Sequence, residues 1–156
     1  MPPFEAAGRT LAVTRSAMRF CLARAWSPLA EVPLPDGRRA DILALRPDGG
    51  FAIIEVKSCA RDFLCDAKWP EYRAFADELH FAVDHDFPCG LLPHDAGLLV
   101  CDGFEAAVIR EAPPHPLAPA RRRALLHRFA NLAATRLAGL TDPTGLAERR
   151  AALRCE

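Results

Sequence analysis

The sequence predicts an α/β fold: a mixed sheet that opens with an antiparallel three-stranded meander, is flanked by helices and is followed by a C-terminal helix. Two observations carry this. Pro35-Asp36-Gly37 and Pro47-Asp48-Gly49 each separate extended segments, and each sets proline at the first turn position and glycine at a third position that needs the left-handed region. After Lys57, helix-compatible stretches alternate with short apolar runs bounded by proline and glycine, the pattern of a sheet that carries helices. At 156 residues the chain has the size of one domain. It reads as a single domain over 1–156, with 1–8 a loose arm and 117–156 a C-terminal helical segment.

In chain order, Thr10 is expected to cap a helix running to about Ala25, with Leu11, Met18, Cys21 and Leu22 on its apolar face. Three antiparallel strands follow, about 29 to 34, 38 to 46 and 51 to 57. Pro70 suits a first helical turn, and Tyr72, Phe75, Ala76 and Leu79 recur at helical spacing, so one broken or two short helices are expected there. His80 to Val83, Gly97 to Cys101 and Ala106 to Arg110 read as three further strands. The proline cluster at Pro113, Pro114 and Pro116 leads into an Ala-, Leu- and Arg-rich helix from about Ala118 to Gly139, and a shorter helical tail follows Pro143.

Composition narrows the function. Twenty basic residues balance twenty acidic ones, so no global positive field draws the chain to nucleic acid, and any such contact uses a local patch. Cys21, Cys59, Cys65, Cys89, Cys101 and Cys155 form no CxxC pair, which argues against a zinc ribbon, and reduced thiols fit a cytoplasmic protein. Glu5 and Arg9 interrupt any leader-like apolar stretch, and no window is long enough to span a membrane, so a soluble protein is expected. His80, His85, His94, His115 and His127 lack metal-ligand spacing, and Cys59 and Cys65 have no identified activating partner.

The chemistry sits in the meander. Asp41 and the pair Glu55 and Lys57 interrupt apolar strands, and charge in a core strand is costly without a partner. Strand alternation puts Glu55 and Lys57 on one face. With a three-residue loop at 47–49, Arg46 faces Gly50 and the ladder places Asp41 opposite Glu55; the same count across 35–37 sets Leu34 against Arg38 and Glu31 opposite Asp41. Three carboxylates would then stand in a row at about 5 Å spacing, a repulsive arrangement that a divalent cation relieves. Oxygen ligands without histidine or cysteine favour Mg2+ or Mn2+, held by Asp41, Glu55 and Glu31, with Lys57 as a point charge beside it. Such a site suits phosphodiester hydrolysis. The simpler reading of Glu55 and Lys57 is an exposed cross-strand pair worth under about 1 kcal/mol.

An aspartate on one strand and Glu-x-Lys on the next resembles the PD-(D/E)xK nuclease signature, with Ala40 where that signature has proline. The longer run Glu31-Val32-Pro33-Leu34-Pro35-Asp36-Gly37-Arg38-Arg39-Ala40-Asp41, then Glu55-Val56-Lys57-Ser58, Asp66-Ala67-Lys68-Trp69-Pro70-Glu71-Tyr72 and Asp95-Ala96-Gly97-Leu98-Leu99-Val100, resembles the MmcB family of bacterial DNA-repair proteins over nearly the whole chain. The resemblance implies a restriction-endonuclease-like fold and a DNA-repair role, with Asp41, Glu55 and Lys57 at the superfamily's catalytic positions. Two functions follow: a metal-dependent deoxyribonuclease, or a non-catalytic module that keeps the nuclease fold to bind DNA or recruit other repair proteins.

DNA contacts have several candidates, each with a plainer alternative. Lys68 and Tyr72, one helical turn apart, face either the site or solvent and Trp69. Arg38 and Arg39 flank the site and grip phosphate, or pair with Glu31 or Asp36. Arg121 and Arg122, with Arg123, Arg128 and Arg136 further along the helix, form either a backbone-binding patch or a solvated face.

Overall fold

The computed structural model describes residues 3–154. A six-stranded sheet runs in sequence order, β1 (Ser27–Pro33), β2 (Arg39–Leu45), β3 (Phe51–Val56), β4 (Glu78–Asp84), β5 (Gly97–Cys101) and β6 (Ala106–Arg110). Pairing is antiparallel from β1 to β3, parallel from β3 through β5, and antiparallel again for β6. The expected mixed sheet with its opening meander is therefore the observed one. Both hairpins close as the turn chemistry requires. Gly37 and Gly49 adopt φ of +85° and +81°, and the Leu34 and Arg46 amides donate to the Arg38 and Gly50 carbonyls, both at 2.8 Å.

The helices are α1 (Pro3–Ala23), α2 (Ala60–Cys65), α3 (Pro119–Thr141) and α4 (Pro143–Ala152). Of the expected loose arm, residues 1–2 lie outside the described residues and Pro3 to Gly8 are helical. Thr10 therefore caps nothing; its hydroxyl donates back to the Ala6 carbonyl inside α1. The apolar face of α1 is also rotated from expectation. Val13, Ala17, Phe20 and Cys21 are buried, whereas Leu11 and Leu22 are exposed, because the 13-17-20-21 stripe is the one that meets the sheet. Between α2 and β4, Trp69–Phe75 forms a 3-10 segment. Ala76 is already extended, and Leu79 belongs to β4, where pairing with Ile53 of β3 overrides its helical spacing.

The two faces of the sheet are covered differently. Ile42, Ala44, Ala52, Ile54, Val56 and Ala82 pack against α1. Phe81, Val83 and Leu98 face the other way, toward Phe63 and Trp69. By alternation Asp41, Glu55 and Lys57 belong to this second face.

The chain divides into two compact units, up to Arg122 and from Arg123 onward, with the division falling inside α3. The second unit is helical. In the first, Asp77 fastens the start of β3 to the segment before α3: its carboxylate accepts from the Phe51 amide (2.7 Å), the Leu117 amide (2.9 Å) and the Arg122 guanidinium (2.6 Å). Among the described residues no disulfide forms: Cys21, Cys59, Cys65, Cys89 and Cys101 are free thiols, and Cys155 lies outside them. No helix is long and apolar enough to cross a membrane.

Candidate active site

The register of the meander brings Asp41 and Glu55 together, but not as a ladder pair. The β2–β3 ladder runs from Leu45↔Phe51 to Ile42↔Ile54 and stops one residue short of them. At that point side chains replace the backbone partners. The Asp41 amide donates to Glu55 Oε1 (3.2 Å), and the Val56 amide donates to Asp41 Oδ2 (2.8 Å). Each carboxylate thus satisfies an amide that the ended ladder leaves over.

Lys57 continues β3 beside β4, its amide donating to the Ala82 carbonyl at 3.0 Å. Its ammonium lies 2.7 Å from Asp66 Oδ2 and 4.0 Å from Glu55 Oε2. Glu55 and Lys57 are among the few buried charged residues, 2% and 5% exposed. That excludes the exposed cross-strand pair, because an ion pair removed from water carries a desolvation cost that a surface pair does not.

Electrostatics record the crowding. Burial, reinforced by the Asp41 charge, pushes the Glu55 carboxyl up to about 8. Burial also raises Asp41, against the opposing pull of the Val56 amide and Lys57. Burial alone would lower Lys57, but the hydrogen bond and charge of Asp66, with Glu55 behind it, hold it above its usual value. Two carboxylates that both resist ionisation beside a lysine that stays charged form a site short of positive charge.

The wall over this site is Tyr72. It is buried, donates its hydroxyl to the Arg39 carbonyl at 3.2 Å, and has its pKa raised by burial and by the charges of Glu55, Asp66 and Asp41. Tyr72 thus lies within electrostatic reach of the three carboxylates, with its hydroxyl spent on the Arg39 backbone. Phe63 and Trp69 meet Phe81, the β4 neighbour of Glu55, edge-on with ring centroids 5.5 Å apart.

Glu31 is where the carboxylate row fails. Pairing skips the 31–41 position between Ala30↔Ile42 and Val32↔Ala40, and Glu31 takes φ of +52°. The left-handed backbone carries its side chain off the alternation that the ladder count assumed. It is exposed, 3.3 Å from Arg39. Among the described residues no three or more His, Cys, Asp or Glu side chains come together in a metal-holding group, so the row of three is a pair.

The matching family model is the MmcB-like one, described as DNA repair protein MmcB-like, and it covers residues 4–144. The chain belongs to this DNA-repair family. Among solved structures the chain is similar to the SPO1766 protein of unknown function from Silicibacter pomeroyi, 40% identical, covering 88% of this chain and 94% of that one with a TM-score of 0.83. No curated protein matches.

The remaining basic candidates of this MmcB-like chain are mostly engaged. Arg38 pairs with Asp36 and Glu71, and Arg39 with Glu31. Arg121 donates to the Ala74 carbonyl and Arg122 to Asp77. Lys68 is exposed and its amide donates to Asp66 Oδ1. Sequence reasoning missed Asp66 as the partner of Lys57, and with it Asp62, whose charge reaches both Asp41 and Lys57. No local signal marks that partnership, because the return of Asp66 to Lys57 depends on how short α2 is.

Proposed function

We propose that this MmcB-like protein is a metal-dependent deoxyribonuclease of the PD-(D/E)xK, restriction-endonuclease-like kind. In this reading it acts on DNA in the cytoplasm alongside other repair proteins. One observation carries the reading: Asp41 and Glu55 are brought together at a ladder end, both with raised pKa, beside a buried lysine that remains charged. The donor set suits a hard cation. It offers carboxylate oxygens from Asp41 and Glu55, and Mg2+ commonly takes one or two protein carboxylates and keeps waters elsewhere. Glu31 joins as an auxiliary ligand only by leaving Arg39.

When bound, Mg2+ or Mn2+ supplies charge at the scissile phosphate and a more acidic water. The chain does the rest. Asp41 and Glu55 hold the ion, and the Asp41 and Val56 amides fix their carboxylates in place. Lys57 faces the phosphate and stabilises charge developing on its oxygens. Tyr72 and the Phe63, Trp69 and Phe81 cluster keep that side of the site dry, which strengthens each of these interactions. Lys68, an exposed cation that flanks the site in sequence, is the first candidate for a neighbouring phosphate.

A second reading, a DNA-binding module without turnover, draws support from the pairing of Lys57 with Asp66. The test takes wild type and Asp41→Asn, which keeps an acceptor for the Val56 amide. Melting temperature is measured with and without Mn2+, then cleavage of labelled single-stranded, duplex and branched DNA. Mn2+-dependent cleavage lost in the variant is the expected result. Stabilisation by Mn2+ without cleavage favours the module, and no Mn2+ response overturns the metal site.

A further inference from the structure

The ammonium of Lys57 is already occupied by an anion. Asp66 Oδ2 lies 2.7 Å from Nζ, well inside hydrogen-bond range, whereas Glu55 Oε2 is at 4.0 Å. Of the two paired side chains Asp66 is the more open, 25% exposed against 6% for Lys57. An anion arriving from solvent therefore meets Asp66 before it meets the lysine.

The segment that carries Asp66 is lightly held. Helix α2 buries none of its residues and has no side-chain cap at its start. Asp66 ends it, with its amide on the Phe63 carbonyl at 3.0 Å and its Oδ1 accepting the Lys68 amide at 3.3 Å. Phe63 against Phe81 is the apolar anchor of this segment, and the Asp66 ion pair is the polar one. A carboxylate and a phosphate present the same chemistry to an ammonium: oxygen acceptors with negative charge. Two anions competing for one buried cation exclude each other.

We infer that Asp66 is a placeholder, occupying the seat on Lys57 that a DNA phosphate takes, so that substrate enters by displacing the Asp66 carboxylate and loosening the 60–68 segment from the sheet. The inference rests on reading Lys57 as the phosphate-facing residue. It adds a residue that governs access and does not itself touch the reacting atoms.

The test measures binding without turnover. A short phosphorothioate duplex in Ca2+ is titrated into wild type, Asp66→Asn, Lys57→Gln and the double variant. Asparagine keeps an oxygen acceptor for the Lys68 amide and removes the charge. Asp66→Asn is expected to bind on the order of tenfold more tightly than wild type, and the gain is expected to vanish in the Lys57→Gln background. Unchanged or weaker binding overturns the inference, as does a gain that survives without Lys57, since that would be a general charge effect. Absence of duplex binding by every variant overturns it too.

Folding of the variant need not decide the matter, because wild type carries its own reporter. Lys57 and Lys68 are the only lysines of the chain, so 15N-lysine labelling yields two side-chain ammonium signals, which Lys68→Arg assigns. Duplex addition is expected to shift the Lys57 signal and to raise amide exchange across 60–68; a Lys57 signal unmoved at saturation overturns the inference. If binding follows this pattern while wild type cleaves no DNA, the placeholder stands and the nuclease reading falls. If cleavage occurs and Asp66→Asn lowers its rate with binding unchanged, Asp66 merely positions Lys57 and the placeholder falls.

Discussion

Glu55→Gln gives the sharpest prediction from the site. In the absence of metal the Glu55 carboxyl titrates near 8, against an ordinary 4.5, chiefly because burial penalises its charge. A carboxyl raised in the folded state contributes stability that is present below its unfolded value and is lost as pH climbs toward its folded value. At about 1.4 kcal/mol per pH unit, the span from 4.5 to about 8 corresponds to a loss on the order of 5 kcal/mol. Glutamine mimics the neutral acid and still accepts the Asp41 amide, so it removes this titration and little else. Urea unfolding with chelator present, followed by fluorescence of the buried Trp26, gives the comparison. Near pH 5 the two proteins are expected to be about equally stable. By pH 8.5 the variant is expected to lead by several kcal/mol, and added Mn2+ is expected to narrow the gap by stabilising ionised wild type. Parallel stability curves from pH 5 to 8.5 would refute the claim that Glu55 is forced toward its neutral form.

Other perturbations separate the site from the scaffold. Asp41→Ala strands the Val56 amide and is expected to cost roughly 1–3 kcal/mol in urea unfolding, whereas Asp41→Asn costs less than half of that; equal costs would remove the capping role. Asp77→Ala takes the acceptor from Phe51, Leu117 and Arg122 together. It is expected to destabilise by about 3–5 kcal/mol while leaving any Mn2+ response of the folded protein unchanged. Gly97→Ala would set a Cβ 2.3 Å from Nδ1 of the buried His80, so a loss of about 1–3 kcal/mol or more is expected; a melting temperature within a degree of wild type would show that the ring moves aside freely.

Much of the site was legible because turn chemistry is local. Pro-Asp-Gly, twice, fixes the loop length, loop length fixes register, and register places Asp41 beside Glu55 without any tertiary information. What failed was whatever depends on distant packing. Which stripe of α1 is buried is decided by where the sheet lies, and Leu11 and Leu22 are as apolar as the residues that win. Leu79 carries helical spacing yet pairs with Ile53 of β3. Glu31 obeys the register count but departs from alternation through its backbone, and nothing in its neighbours announces that. Asp66 was out of reach because the return of a loop to the strand it left is a matter of helix length, which no residue of α2 signals by a cap.

The exchange of amides between Asp41 and Glu55 also makes the two acids a clasp at the point where the second and third strands part. Without them the fork would travel up the sheet until some other group met the loose amides. A relative with or without catalysis would need such a clasp, and these two residues would persist in it for that reason alone. Alanine at either position opens the clasp and removes the acid at once, so the amides Asn and Gln are the substitutions that tell fastening from chemistry.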